Sequence, residues 1–304
     1  MANYVRFDWA IKKILRQKEN FAVLEGFLSV IIKDRIKIQD IIDSESNKET
    51  ADDKFNRVDV LAKNDKDELI LIEVQNDRQL DYFQRMFYGV SKICIDHMKS
   101  GFDYSQVKKI YSINIVYFEL GVGNDYIYEG NTDFRSVHNP DEILQLSQAQ
   151  QILFNKFEVR DIFPKHFLLR VNDFNKESKV PLDEWMSFLK TSTIPVDASA
   201  PGLQEATHIL NEINMTEDEL MDYKKHLDNL MLQNSLLGTA KYEGREEGRE
   251  EGREEGREEG LKEGIVEGEK LKTIEIAKKL KEDNMPIELI IKYTNLSKDE
   301  IEKL

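Results

Sequence analysis

Two short apolar runs between residues 57 and 75 each carry a carboxylate, and this pairing constrains the fold more than any other feature of the chain. Arg57-Val58-Asp59-Val60-Leu61-Ala62-Lys63 and Leu69-Ile70-Leu71-Ile72-Glu73-Val74-Gln75 flank the polar turn Asn64-Asp65-Lys66-Asp67, and together they read as a β-hairpin. An ionised carboxylate buried without a partner costs several kcal/mol, so a charge in the middle of an apolar strand must be matched. Asp and Glu oxygens are hard ligands suited to magnesium or manganese, and Gln75 projects from the same strand face as Glu73. Asp59, Glu73 and Gln75 can thus converge on one divalent ion, which would lower the pKa of a bound water and stabilise charge on a phosphodiester. The spacing equally fits two acids facing solvent on a half-exposed sheet, with Lys63 and Arg57 as ion-pair partners.

The 304 residues suffice for about two domains with a real hydrophobic core. No apolar run reaches the ~18 residues of a membrane span, and the N-terminal residues lack the apolar stretch of a signal peptide. A cytoplasmic protein with no membrane partner is therefore expected. Cys94 is the single cysteine and cannot build a disulfide framework, and His97, His138, His166, His208 and His226 show no zinc-ligand spacing. The net charge of −15 disfavours a protein that coats nucleic acid through bulk charge, because phosphate binding is driven by cations releasing counterions. Gly121-Val122-Gly123 lacks the third glycine of a dinucleotide fingerprint, and Asn214-Met215-Thr216 is a sequon without a secretory context.

Around the hairpin, Phe7, Ala10, Ile11, Ile14 and Leu15, then Phe21, Leu24, Phe27, Leu28 and Ile31, recur at helical spacing and predict two helices. Residues 36–41 alternate like a strand. Residues 80–99 predict a long helix with Phe83, Met86, Phe87, Val90, Ile93 and Cys94 inward and Arg85, Lys92 and Lys99 opposite them. Residues 111–118 form a strongly apolar strand. The order ααβββαβ is that of an α/β or α+β domain over residues 1–140, followed by a mainly helical extension over 141–240. From Glu243 to Gly260 the chain repeats glycine every fourth residue, within a low-complexity stretch over 241–270. Pairs such as Glu246 with Arg249 and Glu250 with Arg253 support a helix there, but each glycine opposes it by ~1 kcal/mol, so a marginal helix or a solvated spacer is expected. Residues 271–304 read as a small helical segment, with a break at Met285-Pro286 and a capping box at Ser297-Lys298-Asp299-Glu300. It looks superficially like a helix-turn-helix but lacks a basic recognition helix.

The hairpin, with Val58-Asp59-Val60-Leu61-Ala62-Lys63 leading to Leu71-Ile72-Glu73-Val74-Gln75-Asn76, resembles the catalytic hairpin of the PD-(D/E)XK nuclease superfamily. More narrowly it is similar to PD-(D/E)XK family transposases and Rpn-type recombination-promoting nucleases. The segment from Phe7 to Leu15 resembles that family's opening D-x-x-F-K helix, with Ile11 where phenylalanine is frequent. Phe83-Gln84-Arg85 and Tyr88 resemble its F-x-x-R-x-x-Y helix, with His97 where glutamine is frequent. Gly101-Phe102-Asp103-Tyr104 and the following strand, the segment from Leu182 to Lys190, and the repeat tail are similar to it as well.

The resemblance implies a restriction-endonuclease-like core with a mixed sheet flanked by helices, then a helical region and a Gly/Glu/Arg-repeat helical tail. It implies a metal-dependent DNA endonuclease using magnesium or manganese and promoting recombination or transposition. Asp59 and Glu73, helped by the Val74 carbonyl, would hold the metal, and Gln75 would stand where most of the superfamily carries lysine. An amide offers dipoles but no charge to a hydroxide. The E-x-Q form is usual in this branch; it leaves open a weak or inactive nuclease scaffold that regulates DNA or protein through its tail. Asp8 is either an auxiliary metal contact or a helix N-terminal acid, and Arg85 either approaches phosphate or lies on a solvated helix face, which its position opposite the apolar side favours. DNA is the expected partner, with a homo-oligomer formed through the core or the tail.

Overall fold

A computed structural model describes residues 4–13, 15–42, 59–98, 103–175, 180–211 and 215–304. Ile14, Arg57, Val58, Lys99, Gly101, Phe102 and Asn214 lie outside the described residues. The chain divides into two compact units, Met1–His226 and Leu227–Leu304. Among the described residues no helix is long and apolar enough to cross a membrane.

The first unit is built on a six-stranded sheet. Its strands are β1 (Ile38–Ile42), β2 (Val60–Asn64), β3 (Leu69–Gln75), β4 (Ile110–Val116), β5 (Ile127–Gly130) and β6 (Lys165–Arg170), in the spatial order β1-β2-β3-β4-β6-β5. The first three strands pair antiparallel, β3, β4 and β6 are parallel, and β5 closes the edge antiparallel to β6. A central strand in such a mixed sheet is covered on both faces and so needs apolar residues at every position. Leu69, Ile70, Leu71, Ile72 and Val74 meet that need and are all buried. The β2–β3 turn is held by Asn64, whose side-chain oxygen accepts from the Glu68 amide at 2.8 Å while its Nδ2 donates to Glu68 Oε2 at 2.9 Å.

One face of the sheet is covered by α3 (Tyr82–Asp96). Its Val90 and Ile93 pack on Leu61, Leu69, Leu71 and Ile110, and its Tyr82 and Met86 pack on Val116, Phe118, Leu120 and Leu168. Met86, Val90 and Ile93 face inward as expected, and the helix is turned by about half a residue from the expected phase. The inward line runs through Tyr82, Met86, Gly89, Val90 and Ile93, whereas Phe83 is 50% and Phe87 73% exposed. The other helices of the core gather around an aromatic cluster. Phe7 of α1 (Phe7–Lys13), Phe27 of α2 (Phe21–Ile32), and Trp185 and Phe188 of α5 (Pro181–Thr191) have ring centroids 5.0–6.4 Å apart. The indole Nε1 of Trp185 donates to the Pro201 carbonyl at 3.1 Å, just before α6 (Leu203–Ile209), so that polar group is also satisfied.

The sheet continues beyond residue 140: residues 141–240 are mainly helical but also supply β6 to the core sheet. Lys165-His166-Phe167-Leu168-Leu169-Arg170 has charged ends and an apolar centre of only three residues, a weak strand pattern. Tertiary context overrides that pattern. The strand docks between β4 and β5, where Phe167, Leu168 and Leu169 are buried and the Arg170 guanidinium reaches Asp173 and the Gly123 carbonyl. The short helix α4 (Gln148–Phe154), opened by a capping box at Ser147, lies between β5 and β6 in the chain.

The helix α7 (Glu217–Glu282) starts in the first unit, behind a cap in which the Thr216 hydroxyl and Glu219 carboxylate bond reciprocally. Tyr223 and His226 belong to that unit. In the second unit α7 runs without a break through the glycine repeat. The expected supporting pairs form, Arg249 with Glu246 at 2.9 Å and Arg253 with Glu250 at 3.5 Å. No atom lies within 4 Å of a Cβ built on Gly244, Gly248, Gly252, Gly256, Gly260, Gly264 or Gly268. At its end Ala277 packs with Ile290 of α8 (Ile287–Thr294) and Ile301 of α9 (Lys298–Lys303), α9 opening on the Ser297 capping box.

Candidate active site

The two hairpin acids meet at the C-terminal end of β3. Val60 pairs with Ile72, so the residue preceding Val60 lies opposite Glu73. Asp59 sits there, and its Oδ2 accepts the Val74 amide at 2.6 Å. Its Oδ1 is 3.0 Å from Lys12 Nζ of α1. Lys63, one of the expected surface partners, instead pairs with Asp67 at 2.6 Å.

Glu73 is in a harsher position. It is 3% exposed, and neither carboxylate oxygen has a hydrogen-bond partner. The nearest cation is Arg85 of α3, with Nε 3.6 Å from Oε2, too long for a hydrogen bond. Tyr82 lies close enough to favour the charged form, but its hydroxyl is directed to Asn114 Oδ1 at 3.4 Å. Burial pushes the Glu73 carboxyl up to about 7; Arg85 pulls it down and the nearby Asp59 charge adds to the rise. Buried polar atoms in folded proteins are almost always paired, so two orphaned carboxylate oxygens beside a second carboxylate mark a place prepared for something else.

Asn114 stands in register with Glu73 on β4 and is completely buried. Its Nδ2 is spent on Ser112 Oγ at 2.9 Å and on the Ser112 and Phe167 carbonyls, which turns Oδ1 toward Tyr82. Burial and the adjacent Glu73 push the Tyr82 hydroxyl up, keeping it a donor. Gln75 shares the strand face of Glu73 but is half-buried, and its Nε2 donates to the Asp77 carbonyl at 3.4 Å.

Arg85 corrects the expectation of a solvated helix face. Its guanidinium turns to Glu73, and Nη1 donates to Gln79 Oε1 at 3.2 Å. Lys92 pairs with Asp96 at 3.8 Å, and Lys99 lies outside the described residues. The cause of the Arg85 turn is the rotation of α3, which brings Tyr82 and Gly89 under the helix and leaves Arg85 at the margin of the sheet.

Asp8 is buried as deeply as Glu73 but is fully served. Its oxygens accept from Arg6 Nε at 3.1 Å, Arg6 Nη2 at 3.2 Å, the Trp9 amide at 3.0 Å and Asn76 Nδ2 at 2.9 Å, with His226 Nε2 at 3.2 Å. Burial works to raise its pKa, but His226 and Arg6 outweigh it and hold the carboxyl well below the usual range. Asp8 lies in the first turn of α1 and ties that helix to the end of β3 through Asn76.

Sequence reasoning did not place Lys12, Tyr82 and Asn114 in this cluster. Two of them carried a readable signal: Lys12 is the lysine of the D-x-x-F-K resemblance, and Asn114, like Glu73, is a polar side chain inside an apolar strand, between Ile113 and Ile115. Among the described residues no three His, Cys, Asp or Glu side chains are grouped to share a metal ion. A metal here would rest on two carboxylates, a backbone carbonyl and water.

A family model described as PD-(D/E)XK nuclease family transposase matches residues 5–240. No curated protein and no solved structure matches the chain. The family match spans most of the sequence, and the six-stranded mixed sheet flanked by helices is consistent with the α/β fold of these nucleases. The chain belongs to the PD-(D/E)XK nuclease family transposases.

Proposed function

We propose that this PD-(D/E)XK family member is a DNA endonuclease dependent on magnesium or manganese, acting in the cytoplasm, whose cuts promote recombination or transposition. The observation that carries this reading is Glu73, a buried carboxylate with no hydrogen-bond donor, set beside Asp59 at the end of β3. Hard oxygen donors of this kind fit a divalent cation, and the residues that would hold it are Asp59, Glu73 and the Val74 carbonyl. Bound there, such an ion supplies a water of lowered pKa and charge stabilisation for a phosphodiester.

The chain's own groups set up that chemistry. The Val74 amide fixes one oxygen of Asp59 and leaves Oδ1 directed outward to Lys12. Arg85 balances Glu73 from 3.6 Å without capping either oxygen, so the carboxylate stays available. Tyr82 and Asn114 wall the site on the α3 side and exclude water from behind Glu73. Gln75 orients water through its amide and adds no charge.

Purified protein with magnesium should nick supercoiled plasmid, and Asp59→Ala should abolish nicking with little change in melting temperature. Full nicking by Asp59→Ala would overturn the assignment; no nicking by the wild type would leave a nuclease scaffold with a regulatory role. Cutting both strands of a duplex with one site per chain calls for two copies. Light scattering during size-exclusion chromatography should show a dimer, and a strictly monomeric active protein would limit the reaction to nicks.

A further inference from the structure

A hydroxide attacking a phosphodiester gains most from a positive charge fixed beside it, and the E-x-Q hairpin provides none. Gln75 is moreover engaged with the Asp77 carbonyl. Two cations reach the pair of acids from elsewhere in the fold, and they differ in freedom. Arg85 has a buried Nε and a guanidinium anchored on Gln79. Lys12 extends from α1 to Asp59 Oδ1 at 3.0 Å, with its side chain 47% exposed. Its ammonium is thus held at Asp59 on one side and open to solvent on the other.

The place of α1 is fixed with care. Asp8, one helical turn before Lys12, is bonded by Asn76, the residue that follows Gln75. Phe7 is buried among Phe27, Trp185 and Phe188. The helix that carries Lys12 is therefore locked to the strand end that carries Glu73.

Resting on the metal-nuclease reading, we propose that Lys12 is the catalytic ammonium of this site: a lysine delivered by the first helix in place of one on the hairpin strand. In hydrolysis the water oxygen forms a bond to phosphorus, and the bond from phosphorus to the leaving sugar oxygen breaks with its electron pair on that oxygen. The leaving oxygen takes a proton from solvent, and the proton of the attacking water passes to solvent. Lys12 stays protonated throughout. It lies against the phosphoryl oxygens on which negative charge builds, and it leaves Asp59 for them when substrate binds.

The test pairs turnover with metal binding. Lys12→Gln should lower kcat on plasmid DNA by about 100-fold, the size of effect expected for losing one charge-stabilising donor. It should bind Mn2+, measured by calorimetry without DNA, at least as tightly as the wild type, because a like charge has left the site. Adding Gln75→Lys to Lys12→Gln should restore much of the turnover, since it returns an ammonium to the same acids. Wild-type kcat in Lys12→Gln would overturn the inference, as would a fall in kcat matched by an equal loss of Mn2+ affinity, which would make Lys12 a structural prop for Asp59. A wild type that shows no Glu73-dependent Mn2+ heat would overturn the nuclease reading itself and this inference with it.

Discussion

Asp8 and Glu73 are acids of nearly equal burial near one end of the same sheet, at 1% and 3% exposure, and they are treated in opposite ways. Asp8 is surrounded by donors from Arg6, Trp9, Asn76 and His226. Glu73 has no donor in hydrogen-bond geometry, only the Tyr82 hydroxyl nearby, a guanidinium beyond hydrogen-bonding distance and a second carboxylate that repels it. The first arrangement stabilises a buried charge, and the second is the one the proposed metal site calls for. Burial alone thus does not tell the two acids apart; the count of donors does.

The comparison breaks most visibly at Asp8. Asp8→Ala strands the partly buried Arg6 guanidinium and empties the α1 anchor, and should destabilise the protein by about 3–5 kcal/mol, read from urea midpoints. A loss below about 1 kcal/mol would mean that the network is ornamental.

Glu73 should respond with the opposite sign. Its pKa is raised from the ordinary carboxylate value to about 7 in the folded chain, so the folded state binds more protons than the unfolded one between about pH 4.5 and 7. Stability from this group is present below pH 4.5 and is lost as pH rises toward 7. In chelator, Glu73→Gln should therefore flatten the pH dependence and raise stability at pH 8 by up to about 3 kcal/mol, while abolishing cleavage. A destabilised Glu73→Gln protein at pH 8 would show that the carboxylate is satisfied after all.

The hairpin and the capping boxes were legible because their signals are local. Continuous apolar runs fixed β2 and β3, the charges inside them pointed to Asp59 and Glu73, and Ser297 with Glu300 caps α9 as its spacing suggests. What was not legible depends on distant partners. β6 is short and charged at both ends, and it becomes a strand because β4 and β5 offer it an edge on each side. The direction of Arg85 depends on a rotation of α3 by about half a residue, which decides whether Phe83 or Tyr82 faces the sheet. Lys12 lies 47 residues before Asp59 in the chain, and nothing in the spacing links them. The repeat was underrated as helix because the glycine cost is intrinsic whereas α7 is continuous on both sides of it.

That last point yields the smallest effect. Gly248→Ala, Gly252→Ala and Gly256→Ala meet nothing within 4 Å in this chain, so each should strengthen the helix by about 1 kcal/mol or less, seen as higher helicity on heating in far-UV circular dichroism. A drop in helicity or in oligomer mass would show that the glycine face packs against another chain.

The contrast between the served and the unserved acid is tested most directly by titrating metal-free protein with Mn2+ in a calorimeter at pH 8. The wild type should bind with a heat that disappears in Glu73→Gln and is weakened in Asp59→Ala, while Asp8→Asn, where it folds, keeps it. Equal Mn2+ binding by wild type and Glu73→Gln would contradict the account.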